Sequence, residues 1–165
     1  MSMSYQYKEC GLDNIYLANG YRIHKTTYGE GVSIQDTEGL HKAIGRWLVS
    51  TPKPLTGAVL RFLRLEMDTT QRDLAGILGT TEQSLRLWEK YRKKAIPGSS
   101  DHLLRAVYLD YIGGDGRIRR MLERLMQLDQ LINAEACFQK NNNSWKPQVP
   151  CLPAESAAEA ETLQA

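Results

Sequence analysis

Thr70-Gln71-Arg72-Asp73-Leu74-Ala75-Gly76-Ile77-Leu78-Gly79-Thr80-Thr81-Glu82-Gln83-Ser84-Leu85-Arg86-Leu87-Trp88-Glu89 is the stretch that decides the fold. It reads as two short helices, Gln71 to Leu78 and Glu82 to Arg92, separated by a glycine in the position of a helix C-terminal cap. Thr70 and Thr81 each offer a hydroxyl to the orphan amides that open a helix. Leu74, Ala75 and Leu78 form the buried face of the first helix, and Ala75 is small enough to let the second cross closely. Gly79 permits the left-handed turn between them. Leu85 and Trp88, three residues apart, lie on one side of the second helix and anchor it to the core.

Outward from this pair the pattern stays helical, with helices expected over Thr56 to Met67, Asp101 to Ile112 and Gly116 to Ala134. Five helices make an all-α domain over 56-136, preceded by the proline-broken connector 51-55, since each proline disfavours helix in the residue before it. Upstream, residues 1-50 change character. From Tyr5 to Asp36, Tyr, Ile, Val and Thr are interrupted by Gly11, Asn19-Gly20 and Gly29-Glu30-Gly31, which predicts three short strands in a small antiparallel sheet. Asn19-Gly20 is a hairpin signal, because both residues tolerate positive φ. Leu40, Ala43, Ile44, Trp47 and Leu48 then recur at helical spacing, predicting a helix over Gly39 to Val49 that covers the sheet. Downstream, residues 137-165 carry an asparagine run, three prolines and an Ala/Glu-rich end, too little apolar periodicity to order a backbone. The expected class is α+β: an N-terminal β module with one helix, a five-helix domain and a disordered tail.

What faces outward on the second helix of the pair is Glu82, Gln83 and Arg86, with Ser84 and Leu87 at the edge. Gln and Arg form bidentate hydrogen bonds with adenine or guanine in the major groove of DNA. Arg92, Lys93 and Lys94 follow directly, placed to meet phosphates. Gln71 opens the first helix, where its side chain and the neighbouring amides suit a phosphate oxygen. Arg72, Thr81 and Lys90 complete the expected DNA-contacting set. Net charge does not carry this reading, at only +2. Its distribution does: residues 51 to 100 hold nine Lys or Arg against five Asp or Glu, whereas residues 1 to 50 hold five of each and residues 101 to 140 six of each.

With these residues on the page, the segment Thr56 to Lys94 resembles the Xre-type helix-turn-helix of lambdoid phage repressors, in which Gly-Thr-Thr-x-Gln-Ser, here Gly79 to Ser84, begins the recognition helix. The resemblance implies that Gln71 binds phosphate, that Glu82, Gln83 and Leu87 face bases, and that Arg64 and Glu89 form a buried ion pair. Leu87 and Glu82 depart from the family's pattern, so its target sequence does not transfer. At Leu87 a thymine-methyl contact would replace a hydrogen bond. The layout of a small β-rich module, Leu55-Thr56-Gly57 and a helix-turn-helix is similar to MqsA-type antitoxin regulators. That family's N-terminal module holds zinc through two CxxC pairs. This chain has only Cys10 there, with His24 and His41, so no metal or cofactor is expected.

Other features take plainer readings. Cys10, Cys137 and Cys151 form no pair at metal-ligand or disulfide-framework spacing. Cys10 reads as a small buried hydrophobe, His24 and His41 as structural or exposed. Tyr5, Tyr7, Tyr16, Tyr21 and Tyr28 suit a sheet's core and cross-strand pairs better than a ligand-binding face. Gly113-Gly114-Asp115-Gly116 is a helix-helix turn, because no Lys-Ser/Thr follows it as a phosphate loop requires. No signal peptide or apolar run of the roughly 18 residues needed to span a bilayer occurs, and a cytoplasmic protein is expected. No Ser/His/Asp set or paired carboxylates suggests an enzyme.

Two functions remain. One is a dimeric repressor of a palindromic operator. Ile118, Met121, Leu122, Leu125, Met126 and Leu128 exceed what one small core needs, so Met121, Leu122, Leu125 and Leu128 are the expected dimer contact. The alternative is an antitoxin that binds a toxin protein through its N-terminal module or tail.

Overall fold

The computed structural model describes residues 4-128, 137-141 and 144-148. It has two compact units, Met1–Met126 and Gln127–Ala165. In chain order, strands β1 (Tyr5–Gln6), β2 (Tyr16–Leu17), β3 (Tyr21–Thr26) and β4 (Gly29–Ile34) precede α1 (Thr37–Ser50), α2 (Gly57–Glu66), α3 (Gln71–Ile77), α4 (Glu82–Lys90), α5 (Gly98–Gly113) and α6 (Arg117–Leu128), the last of which runs two residues past Met126. Residues 129-134, expected to continue α6, lie outside the described residues.

The strands form two separate antiparallel pairs, β1 with β2 and β3 with β4, and not the single sheet expected from the sequence. Asn19-Gly20 is not a hairpin turn. Gly20 does take a positive φ of 78°, but its carbonyl accepts from the Gln35 amide at 2.8 Å, which extends the β3–β4 ladder while β2 remains with β1. The β3–β4 turn falls instead at Thr27-Tyr28, where Thr26 pairs with Gly29 and its hydroxyl donates to the Gly29 carbonyl at 2.7 Å. Most of β3 and β4 is exposed. Of the tyrosines, Tyr7 is in the core and Tyr5 meets Tyr21 with ring centroids 5.2 Å apart, while Tyr16 and Tyr28 face outward.

Helix α1 begins two residues before the sequence expectation, because the Asp36 carboxylate accepts from the Gly39 amide at 3.0 Å and caps it. Its main partners are helices and not the strands. Its buried residues Ile44, Gly45, Leu48 and Val49 pack on α5 and α2, leaving Ala43 and Trp47 outside. The expected boundary at 51-55 therefore lies within one unit, and the reason is a side-chain clamp. Arg105 on α5 donates to the carbonyls of Val49, Thr51 and Lys53 and pairs with Asp101, whose other oxygen accepts from the Leu55 amide at 2.7 Å. Burial disfavours the charged Asp101, but Arg105 and the Leu55 amide outweigh it and hold the carboxyl below its ordinary 3.8.

The shared core is centred on Leu60, Leu63, Leu74, Leu85, Leu104 and Tyr108, all fully buried and drawn from α2 to α5. Each fully buried leucine contributes about 1.5–3 kcal/mol relative to exposure. His41 ties this core to the strands: its Nε2 meets the Tyr7 hydroxyl at 2.8 Å and its Nδ1 the Glu66 carboxylate at 2.6 Å. His24 instead bridges β3 to Ser33 on β4 at 2.9 Å. Cys10 is half-buried and donates to the Tyr7 carbonyl, and burial pushes its thiol up.

In the second unit, β5 (Cys137–Asn141) and β6 (Ser144–Gln148) pair antiparallel. They lie inside the tail expected to lack order, which narrows that expectation. Phe138 and Trp145 are strand-favouring aromatics whose weight the polar composition around them hid. Residues 149-165 lie outside the described residues. No helix among the described residues is long and apolar enough to cross a membrane.

Candidate nucleic-acid interface

The α3–α4 pair is built by its caps. Thr70 accepts from the Asp73 amide and Thr81 from the Ser84 amide, each at 3.1 Å, so both helices start where their threonines place them. Gly79 sits between them at φ 65°, a left-handed conformation that L side chains rarely adopt. Leu85 is fully buried and Trp88 packs against the core, so the opposite side of α4 faces solvent.

Behind α4 a polar network sets its position. Arg64 donates to Glu89 twice, Nε to Oε1 at 2.6 Å and Nη2 to Oε2 at 3.2 Å, and to the Thr69 carbonyl at 3.0 Å. The side chains of this pair are 12% and 5% exposed, a desolvated bridge from α2 to the end of α4. Gln71, expected at a phosphate, points into the network: its Nε2 donates to Glu89 at 2.7 Å and its Oε1 accepts from Arg86 Nε at 3.2 Å. One N–H of the Gln71 amide is left over for an outside acceptor. Arg86 also pairs with Glu82 one turn back along α4. The sequence residues Arg64, Gln71, Glu82, Arg86 and Glu89 are thus one connected chain, because α3 packs against α4 and brings Gln71 within reach of Glu89 and Arg86.

Gln83 and Leu87 stand exposed on α4, four residues apart, and Tyr91 continues their row at 54% exposure. Tyr91 was missed in the sequence reading. Its spacing of four from Leu87 was the available signal, hidden because the helix end falls there. Ser84 is half-buried with its hydroxyl 2.9 Å from that of Thr81, so it serves the cap. Arg72 and Lys90 are exposed, as is Arg61, three residues before Arg64 on α2 and likewise missed. Arg61, Arg64, Gln71 and Arg72 line one shallow depression beside the start of α3.

The basic exit divides. Arg92 turns away from the outer face of α4, donating to the Gly11 carbonyl at 2.7 Å with Asp13 3.9 Å away. Lys93 and Lys94 stay exposed. Their backbone is held, since the carbonyls of Arg92 and Lys94 accept from the Ala58 and Gly57 amides at 3.0 and 3.1 Å. Thr56 makes no side-chain cap bond, and these two carbonyls satisfy the amides that open α2.

Along α6, Ile118, Leu122 and Met126 pack against the core, while Met121 and Leu125 are 55% and 51% exposed. Leu122, expected at a dimer contact, therefore belongs to the chain's own fold: the i, i+4 row 118-122-126 faces inward and 121-125 lies beside it. Leu128 is the last described residue of the helix. Among the described residues no group of three or more His, Cys, Asp or Glu is placed to hold a metal ion.

The chain matches no family model, no curated protein and no solved structure.

Proposed function

We propose that the chain is a sequence-specific DNA-binding transcriptional regulator that lays α4 in the major groove. The observation that supports this best is the division of α4. Leu85, Trp88 and Glu89 hold one side rigidly, and Gln83, Arg86 and Leu87 stand out on the other. A rigid helix carrying exposed Gln and Arg beside a basic segment is what direct readout of bases requires. Gln83 and Leu87 are the readers with no internal bond among the described residues, and Arg86 reads a base after exchanging its Glu82 partner. Lys93, Lys94, Arg72 and Arg61 meet phosphates. A repressor of this size binds as a dimer, and Met121 with Leu125 is its contact.

The test is titration with DNA from upstream of its own reading frame against random duplex at two salt concentrations. Gln83→Ala should cost about 1–3 kcal/mol on the specific site alone, and Lys93→Ala should weaken both duplexes alike and lower the salt slope by about one. Identical behaviour of the two variants on both duplexes rejects the assigned roles.

An antitoxin function in the same chain is favoured by the β3–β4 hairpin, which leaves Ile23 52% and Tyr28 fully exposed. Apolar side chains on an exposed hairpin suit a protein partner. Co-purification with the product of an adjacent short reading frame, lost on Tyr28→Asp, tests it.

A further inference from the structure

A cleft of about 300 Å³ lies where the β1–β2 loop, α1, the 51-56 connector, the start of α2 and the segment after α4 come together. Its lining is mainly apolar and includes Leu12, Leu48, Leu55 and Val59. Trp47, which α1 leaves 52% exposed, contributes an aromatic surface to it. A tryptophan left half in water beside an apolar hollow is the kind of surface that a ligand covers.

The charges around the hollow are uneven. Asp13, Lys53, Arg92 and Lys93 line it. Arg92 is already engaged with the Gly11 carbonyl and lies 3.9 Å from Asp13, so these two opposite charges offset one another. Neither the Lys53 nor the Lys93 ammonium has a hydrogen bond or ion pair among the described residues. An apolar hollow with two uncompensated ammonium groups suits a flat hydrophobic body carrying an anionic group such as a carboxylate. The volume lies at the lower end of the range for small-molecule sites, which suits one or two fused rings.

We propose that this cleft binds a small aromatic carboxylate, with its rings against Trp47, Val59 and the leucines and its carboxylate between Lys53 and Lys93. The site is built on well-held backbone. Arg105 clamps the Lys53 carbonyl at 2.7 Å, and the bonds from Gly57 and Ala58 to the Lys94 and Arg92 carbonyls bracket Lys93. Both ammonium groups are therefore carried on fixed chain. A bound carboxylate would also engage a lysine assigned above to DNA phosphate, so ligand and DNA would oppose each other; that coupling alone rests on the DNA-binding reading.

The test uses the full chain without DNA, so its outcome is independent of that reading. Naphthoate is titrated by calorimetry and by tryptophan fluorescence, with naphthamide as its neutral counterpart. One-to-one saturation with Kd below about 1 mM is expected. The amide, and naphthoate against the Lys53→Ala/Lys93→Ala double variant, should each bind about tenfold more weakly, the scale of two partly exposed ion pairs. Val59→Phe should abolish binding by filling the hollow. If that variant fails to fold, Trp47→Ala, at an exposed position, should weaken binding and remove the fluorescence response. Lack of saturation, or equal binding of acid and amide with no dependence on the lysines, overturns the proposal. If naphthoate binds but leaves a DNA complex intact, only the coupling falls.

Discussion

Glu89→Gln isolates the network behind the recognition helix. Glu89 accepts three hydrogen bonds, two from Arg64 and one from Gln71, at 5% side-chain exposure. Glutamine keeps the shape but removes the charge and turns an NH2 group toward donors. Arg64, itself 12% exposed, is left with the Thr69 carbonyl and one amide oxygen. Removing one partner of a buried pair costs about 3–5 kcal/mol, and the retained bonds place this case near 3. For a unit spanning Met1–Met126 that is a fall in Tm of roughly 12 °C, at about 4 °C per kcal/mol. The control is Glu82→Gln, which breaks the exposed pair with Arg86 on the same helix and should cost about 0.5 kcal/mol or less. Urea unfolding followed by far-UV circular dichroism measures both, with the m-value unchanged. If Glu89→Gln lies within about 1 kcal/mol of the native chain, or matches Glu82→Gln, the network is not the brace described.

Three further outcomes are expected. Gly57→Ala places a Cβ 1.8 Å from the Trp88 carbonyl oxygen, which cannot yield without moving α4, so it should cost about 3 kcal/mol or more; Gly76→Ala meets only the mobile end of Met126 and should stay within about 1 kcal/mol. Equal melting temperatures for these two would contradict the packing. The Asp101 carboxyl is held below its ordinary 3.8, so its contribution is complete above that pH and disappears as pH falls through the lowered value. Asp101→Asn should therefore lower the urea midpoint at pH 7 and flatten its acid dependence, and an unchanged acid limb counts against the clamp. Leu125→Asp, at an exposed position on α6, should halve the mass seen by light scattering and weaken operator binding while Tm holds. A native mass would remove α6 as the dimer contact.

Local rules were enough for the helices and the α3–α4 pair. Thr70, Thr81, Gly79, Leu85 and Trp88 act within a few residues of themselves, so caps, turn and buried side were legible directly in the sequence. The alternation of apolar and polar positions likewise placed α2 and α5, and the start of α6, to within a few residues. Strand partnership was not legible, because the i, i+2 pattern of Tyr16 to Thr26 is the same whichever strand pairs with it. The partnership shows in long-range bonds, the Tyr7 amide taking the Ile15 carbonyl beside β1 and β2 and the Gln35 amide taking the Gly20 carbonyl beside β3 and β4. The destination of α1 was hidden for a related reason. Its apolar face is satisfied by helices as well as by a sheet, and the Arg105–Asp101 clamp that folds the connector back joins residues about fifty positions apart. The same distance dependence divides the proposed site. Which residues α4 turns outward followed from its own periodicity, whereas the capture of Gln71 by Glu89, the diversion of Arg92 to Gly11 and the cleft beside Trp47 arise only when separate elements pack and polar groups find partners that the sequence cannot rank.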